Sequence, residues 1–161
     1  MIITPLETVG NLRKKMRKFG YASLHGQFIK FSSSFGEGHY YFISSSRNFI
    51  NFNTPVKVET IYDSLANLKI SDITEVAFYE LETKGDYFIR GIISFIYYNE
   101  DRSKDLLIVS CGNWNFFIDR KDFKHLQLEK GNWIEFEIKT LELYDISWTY
   151  YSAAFNLIKC Y

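Results

Sequence analysis

Apolar and polar positions alternate with a period of two over most of the chain from Tyr21 onward. The pattern is clearest in Ile134-Glu135-Phe136-Glu137-Ile138. A period of two is that of a strand with one face buried, because successive side chains leave a strand on opposite sides. The alternation predicts a long strand over 21–32 with Gly26 in its interior, then a turn over Ser33-Ser34-Phe35-Gly36-Glu37-Gly38. Two short strands follow, His39 to Ile43 and Asn48 to Phe52, joined by the polar stretch Ser44-Ser45-Ser46-Arg47. Tyr40 and Phe42 share one face of the first of these, and Tyr41 and Ile43 share the other. Both faces are apolar, although a core needs only one.

Pro55 excludes a central strand position, since proline cannot donate to a ladder. Asp63 to Leu68 has the grammar of a capped helical turn. Ile73 to Glu82 is a further strand, closed by Lys84-Gly85-Asp86. The second half repeats the plan: Tyr87 to Tyr98 interrupted by Gly91, a charged loop over 99–105, strands Leu106–Ser110 and Asn115–Asp119, and a strand from Lys130 to Ile138. Recurrence at about 65 residues indicates two copies of one strand plan. Residues 21–86 form the first and 87–161 the second.

The beginning also departs from this period. Thr4-Pro5-Leu6-Glu7 reads as a capped helix start, and Leu6, Val9, Leu12, Met16 and Phe19 recur at helical spacing before Gly20. The expectation is a short amphipathic helix over 1–20. Arg13, Lys14, Lys15, Arg17 and Lys18 lie on its other side, as a solvated face or a phosphate-facing patch.

The order of these segments resembles a small OB-type barrel of the cold-shock kind. Gly26-Gln27-Phe28-Ile29-Lys30-Phe31-Ser32 is similar to that family's glycine-led opening strand, with Lys30 in place of its exposed tryptophan. Tyr40-Tyr41-Phe42-Ile43 resembles its first aromatic nucleic-acid-binding motif, and Phe49-Ile50-Asn51-Phe52 its second, with Asn51 at the usual histidine. Leu128 to Ile138 looks like the fourth strand and Ala153 to Leu157 like the fifth. The resemblance implies an all-β protein with two such barrels in tandem behind the N-terminal helix. It implies single-stranded RNA or DNA as partner, met by Lys30, Phe31, Tyr40, Phe42, Phe49, Asn51 and Phe52, with Lys14, Lys15 and Lys18 adding phosphate contacts.

Composition narrows the choice of function. Nineteen Lys and Arg balance 19 Asp and Glu, so no global field draws the chain to nucleic acid or lipid. Aromatics reach 19%, enough to supply both a core and a recognition surface. Packing of Tyr40, Phe42 and Phe49 in a core is the structural alternative to base stacking. A protein-binding role, such as a toxin-neutralising immunity protein or a homodimer, is the functional alternative, and an acidic concave face is the feature that would favour it. His25, His39 and His125 stand in separate segments without motif spacing, and no phosphate loop, nucleophile elbow or zinc pattern occurs. The expectation is a binding protein, not an enzyme, with no metal or cofactor. Two cysteines, Cys111 and Cys160, suit a reducing compartment, and the first residues lack the layout of a signal peptide. A cytoplasmic protein is expected.

Overall fold

A computed structural model describes residues 1–14, 24–43, 50–97, 106–119, 123 and 125–145. Nine strands account for its regular structure: β1 (Ile2–Lys14), β2 (Leu24–Ser33), β3 (Gly36–Ile43), β4 (Val56–Ile70), β5 (Ala77–Glu80), β6 (Tyr87–Tyr97), β7 (Leu106–Cys111), β8 (Trp114–Asp119) and β9 (Trp133–Asp145). No α-helix occurs among the described residues, and no helix there is long and apolar enough to cross a membrane. The fold class is all-β.

The expected N-terminal helix is instead strand β1. It pairs antiparallel with β2 from Thr4↔Ser32 to Lys14↔Leu24. Ile3 and Pro5 are buried on alternate positions. Helix propensity is a weak preference that a paired partner strand overrides. The proline that reads as a helix start lies beside a register shift between Pro5 and Glu7, where a missing N–H is tolerated. Lys15 to Gly20, with Lys15 and Lys18 among them, are outside the described residues.

The first hairpin also differs from the expected one. Gly36 and Gly38 belong to β3, which pairs with β2 over a tight turn at Ser34 and Phe35. Phe35 folds inward, its ring 5.7 Å from Phe78 and 6.5 Å from Trp114. Asn51 and Phe52 are in irregular, exposed chain before Pro55, not in a strand; Phe49 is outside the described residues. Asp63 to Leu68, read from sequence as a helical turn, continues β4. The cue to a turn is a bulge there: Asn67 has φ 55° and the pairing shifts between Ala66 and Lys69.

The strands form one ring-like sheet rather than two separate barrels. Hydrogen-bonded neighbours run β3-β2-β1-β4-β9-β6-β7-β8, with β5 on the edge of β6. The two long strands hold it together: β4 and β9 pair antiparallel from Val58↔Asp145 to Ile70↔Ile134. Strands of 21–86 and of 87–161 therefore share a sheet. A parallel bridge, Tyr41↔Glu142, joins β3 to β9, and Ile2↔Lys57 with Ile3↔Val56 joins β1 to β4. The circuit β1-β2-β3-β9-β4 is closed by backbone.

Strand β9 changes partners partway along. Trp133 to Ile138 pairs with β6, and Glu142 meets β3. The switch falls at Thr140, whose φ of 53° is unusual for a β-branched residue. Two bonds from the turn before β6 hold it. The Thr140 N–H donates to the buried Asp86 Oδ1 at 3.0 Å, and the Leu141 N–H to the Gly85 carbonyl at 2.7 Å. Asp86 is also paired with Lys139 at 3.0 Å.

The core inside the ring is aromatic. Trp114 is fully buried, with the Phe78 ring centroid 4.1 Å away and Phe31 and Phe116 at 6.0 and 6.2 Å. Ile29, Ile89, Ile93, Val109, Ile134 and Ile138 complete it from the inward positions of their strands.

Candidate functional site

The residues expected to stack bases do not form one open face. Paired residues of an antiparallel hairpin lie on the same side of it. The pairs Ile29↔Tyr40 and Phe31↔Gly38 face the core, leaving Tyr40 only 4% and Phe31 1% exposed. Phe42 is half-buried against the same core. The outward side carries Phe28↔Tyr41, Lys30↔His39 and Ser32↔Glu37. Period two has the right frequency there but the opposite sign, since both residue sets are apolar.

The outward face is closed by its own contacts. Tyr41 is buried, edge-on to Phe28 at 5.8 Å, with its ring over Gly26, where any Cβ would overlap it. Lys30 is paired with Glu37 at 2.7 Å. Glu80 takes both neighbouring donors: His39 Nδ1 lies 2.8 Å from its Oε2, and the Gly85 N–H donates to its Oε1 at 2.6 Å. Lys14 ends β1 opposite Leu24. Of the ten expected site residues, Asn51 and Phe52 are well exposed, in irregular chain before β4.

A second surface lies across β5, β6, β9 and β4. Tyr79 and Phe88 stack at 4.9 Å, and the Arg90 guanidinium sits 5.4 Å from the Phe88 centroid. Glu135 accepts from Arg90 at 2.9 Å and Ser71 at 3.1 Å and pairs with Lys69 at 2.9 Å. The Lys69 and Arg90 contacts, with help from Ser71, hold its carboxyl down to about 2. The arrangement is a self-satisfied ion cluster.

A concave feature lies elsewhere. A cleft of about 620 Å³ lies between β4 and β8, within the size range of pockets that take ligands. Ile61, Leu65, Leu106, Phe117 and Phe123 supply its apolar lining. Glu59, Asp63 and Asp119 add three carboxylates, and no Lys or Arg is among the described lining residues.

How β4 and β8 meet defines the cleft. β8 is the last strand of the sheet path, and among the described residues one of its edges has no backbone partner strand. Instead, Thr60 Oγ1 donates to the Asn115 carbonyl at 2.8 Å and the Tyr62 hydroxyl to the Phe117 carbonyl at 2.6 Å. Both positions advance by two residues together, so the strands run parallel, joined by side chains where a ladder would be. A threonine hydroxyl reaches only a short way from its backbone, while a tyrosine hydroxyl spans a wider gap.

No family model, curated protein or solved structure matches the chain. The site is therefore read from its own chemistry.

Sequence reasoning passed over this cleft because β4 was divided between a proline boundary and a helical turn. A usable signal was present: Thr60, Tyr62 and Ser64 place hydroxyls at every second residue, the period of one strand face.

Proposed function

We propose that this chain is a protein-binding module and that the cleft between β4 and β8 is its binding surface. The observation that carries this reading is a concave seam whose lining is mainly apolar, with Ile61, Leu65, Leu106 and Phe117 along it. An apolar groove of this kind favours an apolar polypeptide segment over a phosphate backbone. Burial of Phe31 and Tyr40 and the pairing of Lys30 with Glu37 weigh in the same direction. The free thiol of Cys111, buried in the core, suits a cytoplasmic setting.

The OB-type relation belongs to the same reading. Its support is strand order: a three-strand meander, β1-β2-β3, whose third strand runs parallel beside β9, with β4 closing on β1. The meander β6-β7-β8 meets β9 and β4 in a corresponding way, except that β8 touches β4 through hydroxyls. Each long strand would then serve both units.

The test is selection of random 12-residue peptides displayed on phage against the intact protein, followed by titration of the enriched peptides. Phe117, 42% exposed at the seam, is the discriminating position. Phe117→Asp is expected to abolish peptide binding while melting near the wild type, since the ring is on the outer face. Oligo-U and oligo-T are titrated in parallel. No enriched peptide, together with oligonucleotide binding lost in Phe42→Ala, would replace this reading with the single-strand one.

A further inference from the structure

Resting on the protein-binding reading, we infer that the partner presents an amphipathic α-helix, whose apolar stripe lies on the outward face of β6, β7 and β8 beside the cleft. Two rows of residues cross these strands on that face, Phe95–Ile108–Phe117 and Tyr97–Leu106–Asp119. A β-bulge puts the two rings of β6 there. Ile93 pairs with Val109 toward the core, but the register shifts between Ile93 and Phe95, so Phe95 and Tyr97 turn outward. Hydroxyls hold the bulge: Ser94 Oγ donates to the Ile108 carbonyl at 3.1 Å, and Ser110 Oγ lies 2.8 Å from Ser94 Oγ. Without the extra residue, the strand period would return both rings to the inward side.

This face offers side chains rather than backbone. β7 is paired on both edges, with β6 and with β8, and the far edge of β8 meets the β4 hydroxyls. An extended segment laid there would bring unpaired N–H and C=O groups against apolar surface, whereas a helix bonds its own. Phe95, Tyr97 and Phe117 are 50%, 55% and 42% exposed, which leaves about 300 Å² uncovered at about 200 Å² per ring. Leu106 and Phe117 also line the cleft, so the two apolar surfaces are continuous. A patch of this size marks an interaction site, yet falls below the about 800 Å² that each partner gives to a stable interface. That disfavours a standing dimer and suits one helix docked reversibly. Three adjacent strands span about 10 Å, about the diameter of a helix. None of the six residues in the two rows is Lys or Arg, so they offer a phosphate backbone no charge.

The experiment takes a phage-selected 12-residue peptide that binds the intact protein and scans it with alanine and with proline. Alanine losses should recur at i, i+3 or i+4, and i+7, and a central proline should weaken binding about tenfold or more. Phe95 and Tyr97 are outside the cleft lining, so Phe95→Ser and Tyr97→Ser separate the face from the cleft. Each should weaken the peptide about five- to tenfold, with thermal melts checking that the variants are folded. Losses at alternate residues overturn the helix while the cleft reading stands. So does full binding by both serine variants when Phe117→Asp binds nothing. Absence of any selected peptide overturns both. Concentration-dependent dimerisation abolished by Phe95→Ser would put a second copy on the face, and oligo-U binding abolished by Phe95→Ser would put a nucleic acid there. Either result overturns the proposal.

Discussion

The phenol of Tyr87 and the backbone of His39 exchange two hydrogen bonds. The His39 N–H donates to the hydroxyl at 2.7 Å, and the hydroxyl donates to the His39 carbonyl at 2.8 Å. The contact joins β6 to β3, and Gly38 makes it possible, because a Cβ at that position would collide with the hydroxyl. Burial, then the nearby Glu80 carboxylate, raises the phenol well above its ordinary value. Tyr87→Phe should cost about 1–3 kcal/mol, since both His39 backbone groups lose their partner. Thermal melts should show the loss as about 2–4 °C in Tm per kcal/mol. An unchanged Tm would mean that water replaces the phenol there.

Glu135 makes stability depend on acid. Its carboxyl is lowered from 4.5 to about 2, so the folded state holds its charge more readily than the unfolded chain does. That contribution is complete above pH 4.5 and is lost as pH falls toward 2. Lys69 is 68% exposed at its side chain, so water screens its share. Glu135→Gln is expected to cost about 1–2 kcal/mol at neutral pH. The measurement is urea unfolding of both proteins at a series of pH values. The gap should narrow from pH 5 to pH 2; a constant gap would assign the cost to packing.

Cys111 works in the opposite direction. Burial pushes its thiol from 9.0 up to about 12, partly offset by a contact to the Ala77 carbonyl at 3.4 Å. Below pH 9 the thiol is neutral in both the folded and unfolded states, and stability falls as pH climbs from 9 toward 12 because the unfolded chain ionises first. Native protein in a Cys160→Ser background should react with a thiol reagent only after unfolding. Rapid labelling of the folded protein at pH 8 would contradict its burial.

Gly26 and Gly91 occupy matching interior positions of their strands but forbid a side chain for different reasons. A Cβ at Gly26 would meet the Tyr41 ring, whereas at Gly91 it would meet the Ser110 carbonyl oxygen of the neighbouring strand at 2.5 Å. A ring can tilt; a ladder carbonyl can move only with its strand. Gly26→Ala should cost about 1–3 kcal/mol and Gly91→Ala more, by chemical denaturation. The reverse order would indicate that β6 and β7 separate easily.

Sharing of β4 and β9 predicts that neither half folds alone. Residues 72–76 are an exposed connection between β4 and β5, so a cut there removes little packing. Separate fragments should lack cooperative melts, and co-expressed fragments should form a complex with a native-like circular dichroism spectrum. Cooperative melting of either fragment alone would restore independent units.

Much of the second half was readable locally. Leu106 to Ser110 and Asn115 to Asp119 emerge as β7 and β8, and the alternation after Gly131 emerges as β9. In Asn115 to Asp119 and after Gly131 one residue set is markedly more apolar than the other, so periodicity specifies both strand and inward face there. Trp114 shows the limit: its place at the centre of the core depends on Phe31, Phe35 and Phe78 from the other half.

Sequence alone determined that the chain is a β protein rich in aromatic alternation, because strand period is a property of adjacent residues. Tertiary structure decided which side of Tyr40-Tyr41-Phe42 faces inward, since the pattern there has no polar face to give it a sign. It also decided that residues 2–14 pair as a strand, because β2 is a stronger determinant than a helical spacing of five apolar residues. The β4–β9 ladder and the β4–β8 cleft were invisible for the same reason. Both depend on which strand edges meet across long sequence separations, and closing a ring satisfies those edges together, whereas periodicity describes one strand at a time.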